Sequence, residues 1–342
     1  MNVPCVRVST DEGEATRRAL ADRDLVDQSF QITAREGSLY IPVTDATAAE
    51  DVYDVVEFDA PPRETQTMPE DVLGFEPTYE RLGDVVILDE DDPERARRIA
   101  DAIAASDLRA RTVVNRASKV KGELRVRDWD VLVDAAAEDD SPSDRSAHST
   151  ATETVHREYG CEFLLDIAEV YFSPRLATER HRVVEQVHEG ERVFDMFAGV
   201  GPFVVPMAKR GAEAVGCDLN PVAVDYLREN ARRNGVAERV TAIQGDVREV
   251  ADDYEGWAER LVMNLPHSAD DFLDTAVRLA GDECVLHYYD IQHEDDPFGP
   301  GIEAIREAAE PQYDVRVDTE RVVRSYAPHE HNVCVDVTLT AR

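Results

Sequence analysis

The apolar positions along this chain change their period several times, and each change marks an element. CVRVST (5–10) alternates as a strand does, EATRRALADRDL (14–25) repeats at helical spacing, and SLYIPVT (38–44) alternates again. Residues 1–60 therefore read as a small α/β unit, and the proline-rich polar stretch 61–74 as a linker. VVILDE (85–90) predicts a strand and DPERARRIADAIAAS (92–106) a helix, with Asp92 as N-cap and Pro93 at its first position. From about residue 160 the alternation becomes regular. EFLLDIAEVYF (162–172) reads as a strand, and Ser173-Pro174 opens the helix PRLATERHRVVEQV. Strand and helix then alternate through RVFDMF, GPFVVPMAKRG, EAVGCDL, PVAVDYLRENARRNG, RVTAIQGD, VREVADDY, RLVMNLP, SADDFLDTAVRLAG and CVLHYYDI to a helix near 301–310. Such alternation predicts a parallel, doubly wound sheet, and the two final strands, 313–327 and 331–341, an added antiparallel hairpin.

Length adds that 342 residues exceed one comfortable core, so two or three domains are expected. No apolar run approaches the roughly 20 residues of a membrane span, and MNVPCVRVSTDEGE lacks a signal pattern, so a soluble cytoplasmic protein is expected. The five cysteines are scattered without a C-x-x-C pair, and the nine histidines show no H-x-x-x-H spacing, so neither disulfides nor a metal is expected.

Charge changes the picture more. Seventy-two acids face 37 bases, for a net charge of −35, and only Lys119, Lys121 and Lys209 are lysines. The composition resembles the solvated surface of a halophile's protein. Net charge of this sign ordinarily opposes nucleic-acid binding, but in molar salt the Debye length falls to about 3 Å and local contacts decide. Locally the sign reverses: between 109 and 127, Arg109, Arg111, Arg116, Lys119, Lys121, Arg125 and Arg127 face the single acid Glu123. A random clump on strand edges is the plain alternative to a phosphate-contacting surface. The acidic, small-residue stretch 133–153 follows as an extended loop. The expected organisation is an N-terminal domain 1–60, a linker 61–74, an α/β RNA-binding domain 75–157 and a catalytic domain 158–342.

The glycine-rich turn VFDMFAGVGPF puts Asp195 at a strand end, then Phe197, Gly199 and Gly201 in a turn before a helix. Asp218 ends the next strand, placed for ribose hydroxyls, and Asp246 ends the third, placed for an adenine amine. A dinucleotide site of the G-x-G-x-x-G kind needs a third glycine, which is missing here. An aspartate ahead of the turn repels a pyrophosphate but suits the sulfonium and amino group of S-adenosylmethionine. The motif and its two downstream acids resemble the class I S-adenosylmethionine-dependent methyltransferases, which implies a Rossmann-like fold; a nicotinamide enzyme is the alternative.

The fourth strand of this sheet ends in Met263-Asn264-Leu265-Pro266-His267, where amine-modifying relatives of this class carry [DN]-P-P-[YF]. With REYGCEFLLDIAEVYFSPRLATER, DMFAGVGPF, DLNP…N…N and MNLP together, the chain resembles the archaeal and eukaryotic tRNA (guanine-37-N1)-methyltransferase family. The resemblance covers roughly 75–340, and more loosely 1–60, which is similar to an extra tRNA-reading domain of one archaeal branch. It implies S-adenosylmethionine as cofactor, tRNA as substrate (anticodon stem-loop and outer corner) and a monomer. The chemistry can be argued independently: N1 of guanine carries a proton at neutral pH, so its methylation needs a base, and charge developing on O6 needs a cation. Glu179 and Arg175 share a helix face at i, i+4, and the resemblance gives them these roles. Asn264 would orient the base, with Tyr171 and Pro266 shaping its pocket, and a further arginine falls on Arg125 or, alternatively, Arg127. A bare surface ion pair worth about 0.3 kcal/mol is the plain alternative for Arg175 and Glu179. Three other functions stay open: a dual enzyme that also methylates the wyosine precursor, an aminocarboxypropyl transferase using the same cofactor, and a non-catalytic tRNA-binding protein.

Overall fold

Alternation near the N-terminus is realised as an antiparallel sheet of β1 (Asn2–Ser9), β2 (Thr33–Arg35), β3 (Ser38–Pro42) and β4 (Val55–Asp59), in the order β2-β3-β1-β4. Helix Gly13–Ala21 buries Leu20 against it, and Asp45 caps the short helix Ala46–Glu50 by accepting from the Ala48 amide. The structure, a computed structural model, describes residues 2–63, 66–122, 124–135 and 150–342; Glu123 and most of the acidic stretch 133–153 lie outside the described residues. The chain divides into two compact units, Met1–Thr67 and Met68–Arg342. Part of the expected linker belongs to the first unit, because the Gln31 amide donates to the Pro61 carbonyl (2.9 Å) and the Arg63 amide to that of Ser29 (2.7 Å). Another part forms helix Pro69–Leu73, with Pro69 at its start and Gly74 closing it in the left-handed region.

The second unit opens with a four-stranded sheet, β5 (Glu80–Leu82), β6 (Val85–Leu88), β7 (Thr112–Arg116) and β8 (Trp129–Asp134). Helix Pro93–Ala104 crosses between the parallel strands β6 and β7, and Asp92 caps it by accepting from the Glu94 and Arg95 amides, as its sequence predicts. A hairpin of β9 (Glu153–Glu158) and β10 (Cys161–Asp166) follows. Here the strand expected through Phe172 stops early: the Asp166 side chain accepts from the Ala168 amide and its carbonyl from the Val170 amide, turning the chain. Tyr171 therefore sits on a loop.

The last sheet has seven strands: β11 (Arg192–Asp195), β12 (Glu213–Asp218), β13 (Val240–Gln244), β14 (Ala258–Met263), β15 (Ala280–His293), β16 (Tyr313–Ala327) and β17 (Glu330–Ala341). Their order is β13-β12-β11-β14-β15-β17-β16. The first five are parallel, β17 adds antiparallel to β15 and β16 antiparallel to β17, which is the expected doubly wound sheet with a C-terminal hairpin. One face buries Phe194, Leu261, Tyr288 and Val335, and the other Val193, Val262, Tyr289 and Cys334. Strand order reverses between β11 and β14, since the chain steps outward from β11 to β12 and β13 and then returns to β14 on the other side of β11, so the crevice beyond their carboxyl ends is where a ligand fits.

Three asparagines of the DLNP…N…N run bind the β10 segment to this sheet. Asn220 Oδ1 caps helix Pro221–Arg233 through the Val222 amide, while its Nδ2 donates to the Glu169 carbonyl (2.8 Å). Asn230, fully buried, accepts from the Leu164 amide (2.7 Å) and donates to the carbonyls of Leu164 and of Val200 in the glycine turn. Asn234 holds Glu162 in the same two-way manner. Replacing Asn230 by alanine leaves an amide and two carbonyls without partners inside the fold. Asn230→Ala is expected to lose about 2–4 kcal/mol in urea unfolding, since a single unsatisfied buried group costs about 1–3 kcal/mol; a loss under about 0.5 kcal/mol contradicts the bracing role.

Candidate active site

The glycine turn is built by the acids that flank it. Asp195, at the end of β11 and 2% exposed, accepts from the Phe197 amide at 3.1 Å. Asp218, at the end of β12, accepts from the Gly199 amide (2.7 Å) and the Asn220 amide (2.9 Å). Gly199 and Gly201 both take positive φ, and a Cβ on Gly201 would collide with Leu227, so that glycine serves close helix packing. A Cβ on Gly199 would meet only the Tyr171 carbonyl, at 3.9 Å, leaving open space beside two acids. Gly216, which composition and motif did not mark, is equally constrained: a Cβ there would lie 2.8–2.9 Å from Leu227, Ala198 and Val204.

Burial raises the Asp195 carboxyl to about 7, with the Asp218 charge adding to the effect, and burial also raises Asp218. Two acids held up by desolvation gain from a cationic ligand. The residues present thus fit a cationic cofactor such as S-adenosylmethionine, which Asp195 and Asp218 would hold. The third expected acid behaves differently. Asp246 caps helix Val247–Val250 and is paired with Arg248, whose hydrogen bond holds it below its usual value. Arg248 in turn lies over the Phe272 ring (5.0 Å), which packs edge-on against Phe197 (5.0 Å), so Asp246 belongs to a cation–aromatic wall.

The catalytic candidates divide. Glu179 and Arg175 do not form the expected pair. Residues Pro174–Leu176 form a 3-10 turn, α-helix begins at Ala177, and the Ser173 side chain caps nothing, so the i, i+4 register between them is lost. Arg175 turns outward to Glu80, which also pairs with Arg116 at 3.0 Å. Glu179 turns inward, 4% exposed, and is met by Arg182 Nη2 (2.7 Å), Arg321 Nε (3.0 Å) and the Tyr289 hydroxyl (3.2 Å). Arg182 reaches on to Asp336 (2.5 Å), and Asp336 meets His287 Nδ1 (2.6 Å), whose Nε2 meets Arg260 Nη1 (2.7 Å). A guanidinium can only donate, so His287 Nε2 carries the lone pair and Nδ1 the proton, given to Asp336. Burial keeps His287 neutral, below its ordinary value; burial also pushes Asp336 up, but the hydrogen bonds from His287 and Arg182 outweigh it and hold the carboxyl well below the usual range. His287, Cys334 and Asp336 offer ligand atoms within 4.8 Å of one another, but the Arg182 and Arg260 guanidiniums already occupy this cluster, so it is a charge relay and not a cation site.

Arg125 and Arg127, the two arginines left open, lie over different rings. Its guanidinium lies over the half-exposed Tyr171 ring (5.2 Å), and its charge is felt at His267, which burial and then Arg125 hold below its ordinary value. Arg127 instead lies over Trp129 (5.4 Å), whose indole donates to the Ile167 carbonyl. Asn264 follows β14, beside β11, where Asp195 pairs with Val262, and the Pro266 carbonyl accepts from the Ile291 amide at 3.1 Å. Of the other bases, Arg111 is tied to Asp84 (3.0 Å) and Arg116 to Glu80 and Asp89, so both brace the β5–β8 sheet. Arg109 and Lys119 are exposed, and exposed Lys121 pairs with Asp128.

Comparison with known proteins decides what this geometry belongs to. The TRM5/TYW2 methyltransferase domain profile matches residues 154–318, the tRNA methyltransferase 5 N-terminal domain 5–51, and the TYW2 N-terminal domain 65–133. The tRNA (guanine(37)-N(1))-methyltransferase Trm5b of Pyrococcus abyssi is 38% identical, over 97% of each chain. The chain belongs to the Trm5 family of tRNA methyltransferases. Among solved Trm5 structures, the complex of aTrm5 and tRNALeu superposes with a TM-score of 0.75 at 29% identity, covering 98% of this chain and 99% of that one. A tRNA(Phe) (4-demethylwyosine(37)-C(7)) aminocarboxypropyltransferase from Methanocaldococcus jannaschii is 31% identical but aligns with only 75% of this chain.

The raised Asp195 has a measurable consequence. A cationic ligand favours the ionised carboxylate, so S-adenosylmethionine affinity is expected to rise about tenfold from pH 6 to pH 8 by calorimetry as Asp195 ionises near 7. Asp195→Asn should flatten this dependence; an affinity independent of pH in the unaltered protein contradicts it.

Proposed function

We propose that this chain transfers a methyl group from S-adenosylmethionine to N1 of guanosine 37 in tRNA, next to the anticodon. The observation that carries this reading is the buried Glu179 carboxylate, in the catalytic unit of a chain that aligns end to end with enzymes of that name. Bound S-adenosylmethionine supplies the electrophilic methyl. The protein supplies the rest: Glu179 takes the N1 proton, Asn264 orients the base, and Tyr171 and Pro266 line its pocket. Arg125, poised over Tyr171, supports charge developing on O6. Arg175 lies further out and joins only by leaving Glu80. A nucleotide of the anticodon loop reaches this site by flipping out of its stack.

The first unit grips the tRNA at its outer corner, while Arg109, Lys119, Lys121 and Arg127 contact phosphate near the anticodon. Arg111 and Arg116 contribute through the sheet they brace. A monomer in a high-salt cytoplasm fits the net charge of −35, which only strong screening reconciles with RNA binding. Methylation of the wyosine precursor at the same position is a compatible second activity. The aminocarboxypropyl transferase reading is less favoured, because its relative leaves a quarter of this chain unmatched.

The test is methyl transfer to a tRNA transcript bearing G37 in molar potassium chloride, followed by nucleoside analysis. We expect 1-methylguanosine from the unaltered chain. Glu179→Gln should cut turnover at least about 100-fold with cofactor affinity within about twofold. No 1-methylguanosine rules out the function; full turnover by the variant rules out Glu179 as the base.

A further inference from the structure

Glu179 is nearly inaccessible, and the groups around its carboxylate differ in how firmly they are held. Tyr289 is buried within the sheet at 1% exposure. Arg182 is fixed at its far side by Asp336. Arg321 is 45% exposed and, among the described residues, has no other acid partner. It stands on β16, the edge strand, in one cross-strand row with Cys334 and Tyr289. A guanine N1–H that approaches Glu179 has to take the place of one of these donors. Breaking a buried charge pair is far costlier than breaking a half-exposed one, so Arg321 is the donor that yields.

The strand also provides for the displaced cation. A bulge between Val322 and Arg324 brings Arg324 opposite Asn332, and Asn332 lies on the same face of β17 as Cys334, two residues away. Arg321 and Arg324 thus share one face at the carboxyl end of the sheet. Arg324 Nε is buried and has no hydrogen-bond partner among the described residues. Tyr326, further along β16, touches His267 of the Asn264 loop, which places this end of the strand at the candidate site.

We propose that Arg321 covers Glu179 in the free enzyme, is displaced by the incoming guanine, and then pairs beside Arg324 with an RNA phosphate flanking the flipped nucleotide. The inference rests on the guanosine-37 reading above. It makes Arg321 a residue that couples RNA binding to exposure of the base, with the N1 proton passing to the Glu179 oxygen that Arg321 vacates.

The experiment compares Arg321→Gln with Arg182→Gln in the full chain. It follows tRNA affinity over a salt series by equilibrium binding, and methyl transfer under single turnover. Arg321→Gln is expected to weaken tRNA binding about tenfold and to reduce the slope of log affinity against log salt by about 1, its loss falling on KM. Arg321→Lys should restore the slope. Arg182→Gln should lose its rate at saturating tRNA while keeping the unaltered slope. If Arg321→Gln keeps the unaltered slope, whether or not its saturating rate falls, the displacement is overturned. Binding is read without turnover, so a chain that fails to methylate G37 refutes the functional reading separately. Thermal melting of each variant identifies loss of fold, and a folded Arg321→Lys then still reports the slope.

Discussion

A carboxylate taken out of water has to be met by cations, and much of the catalytic unit is arranged around that requirement at Glu179. The helix that carries it supplies Arg182, β15 supplies Tyr289, and the terminal hairpin supplies Arg321 and Asp336. The relay then runs through His287 and Arg260 to Glu191, alternating donor and acceptor at every step. The hairpin added beyond the parallel strands is therefore part of what surrounds Glu179. Without it Glu179 would lose Arg321, and Arg182 would lose its second anchor.

The cofactor crevice answers the opposite requirement. Asp195 and Asp218 are desolvated acids held, among the described residues, by backbone amides, and burial raises both, so the site is poised for a cationic ligand. Glu179 is thus met by two guanidiniums, while among the described residues Asp195 and Asp218 meet none. The difference is set by which elements pack against each: helix and hairpin around Glu179, glycine turn around Asp195. Asn220, Asn230 and Asn234 keep the two regions in register by tying the β10 segment and the Glu169 loop to the helix that follows β12.

Much of this was legible in the sequence. Alternation of apolar runs and helical periods yields the order of strands and helices, and the terminal hairpin, because parallel buried strands need continuous apolar runs. The acids at strand ends and the glycine turn follow from the same pattern. The partner of Glu179 was not legible. Spacing alone favours Arg175, but Pro174 tightens the first turn to 3-10 and rotates that arginine away toward Glu80. Its actual partners, Arg321 and the Asp336-anchored Arg182, depend on the terminal hairpin meeting the Glu179 helix, with Arg182 and Asp336 154 residues apart, which no local period encodes. In the basic segment, composition counts charges but does not distinguish Arg111 and Arg116, paired within the sheet, from exposed Arg109 and Lys119. The asparagine run did carry a signal: three asparagines around one helix of a buried sheet mark backbone clamps as readily as ligand contacts.

We hold that the charge relay sets Glu179 for its work, and Asp336 is the place to test it, since it does not touch Glu179 and reaches it through Arg182. Asp336→Asn keeps the side chain's shape and removes its charge. Single-turnover methyl transfer to G37 tRNA, measured beside cofactor affinity, is predicted to slow at least about tenfold while S-adenosylmethionine binds within about twofold of normal. A variant that folds, binds cofactor and methylates at the unaltered rate would contradict the claim.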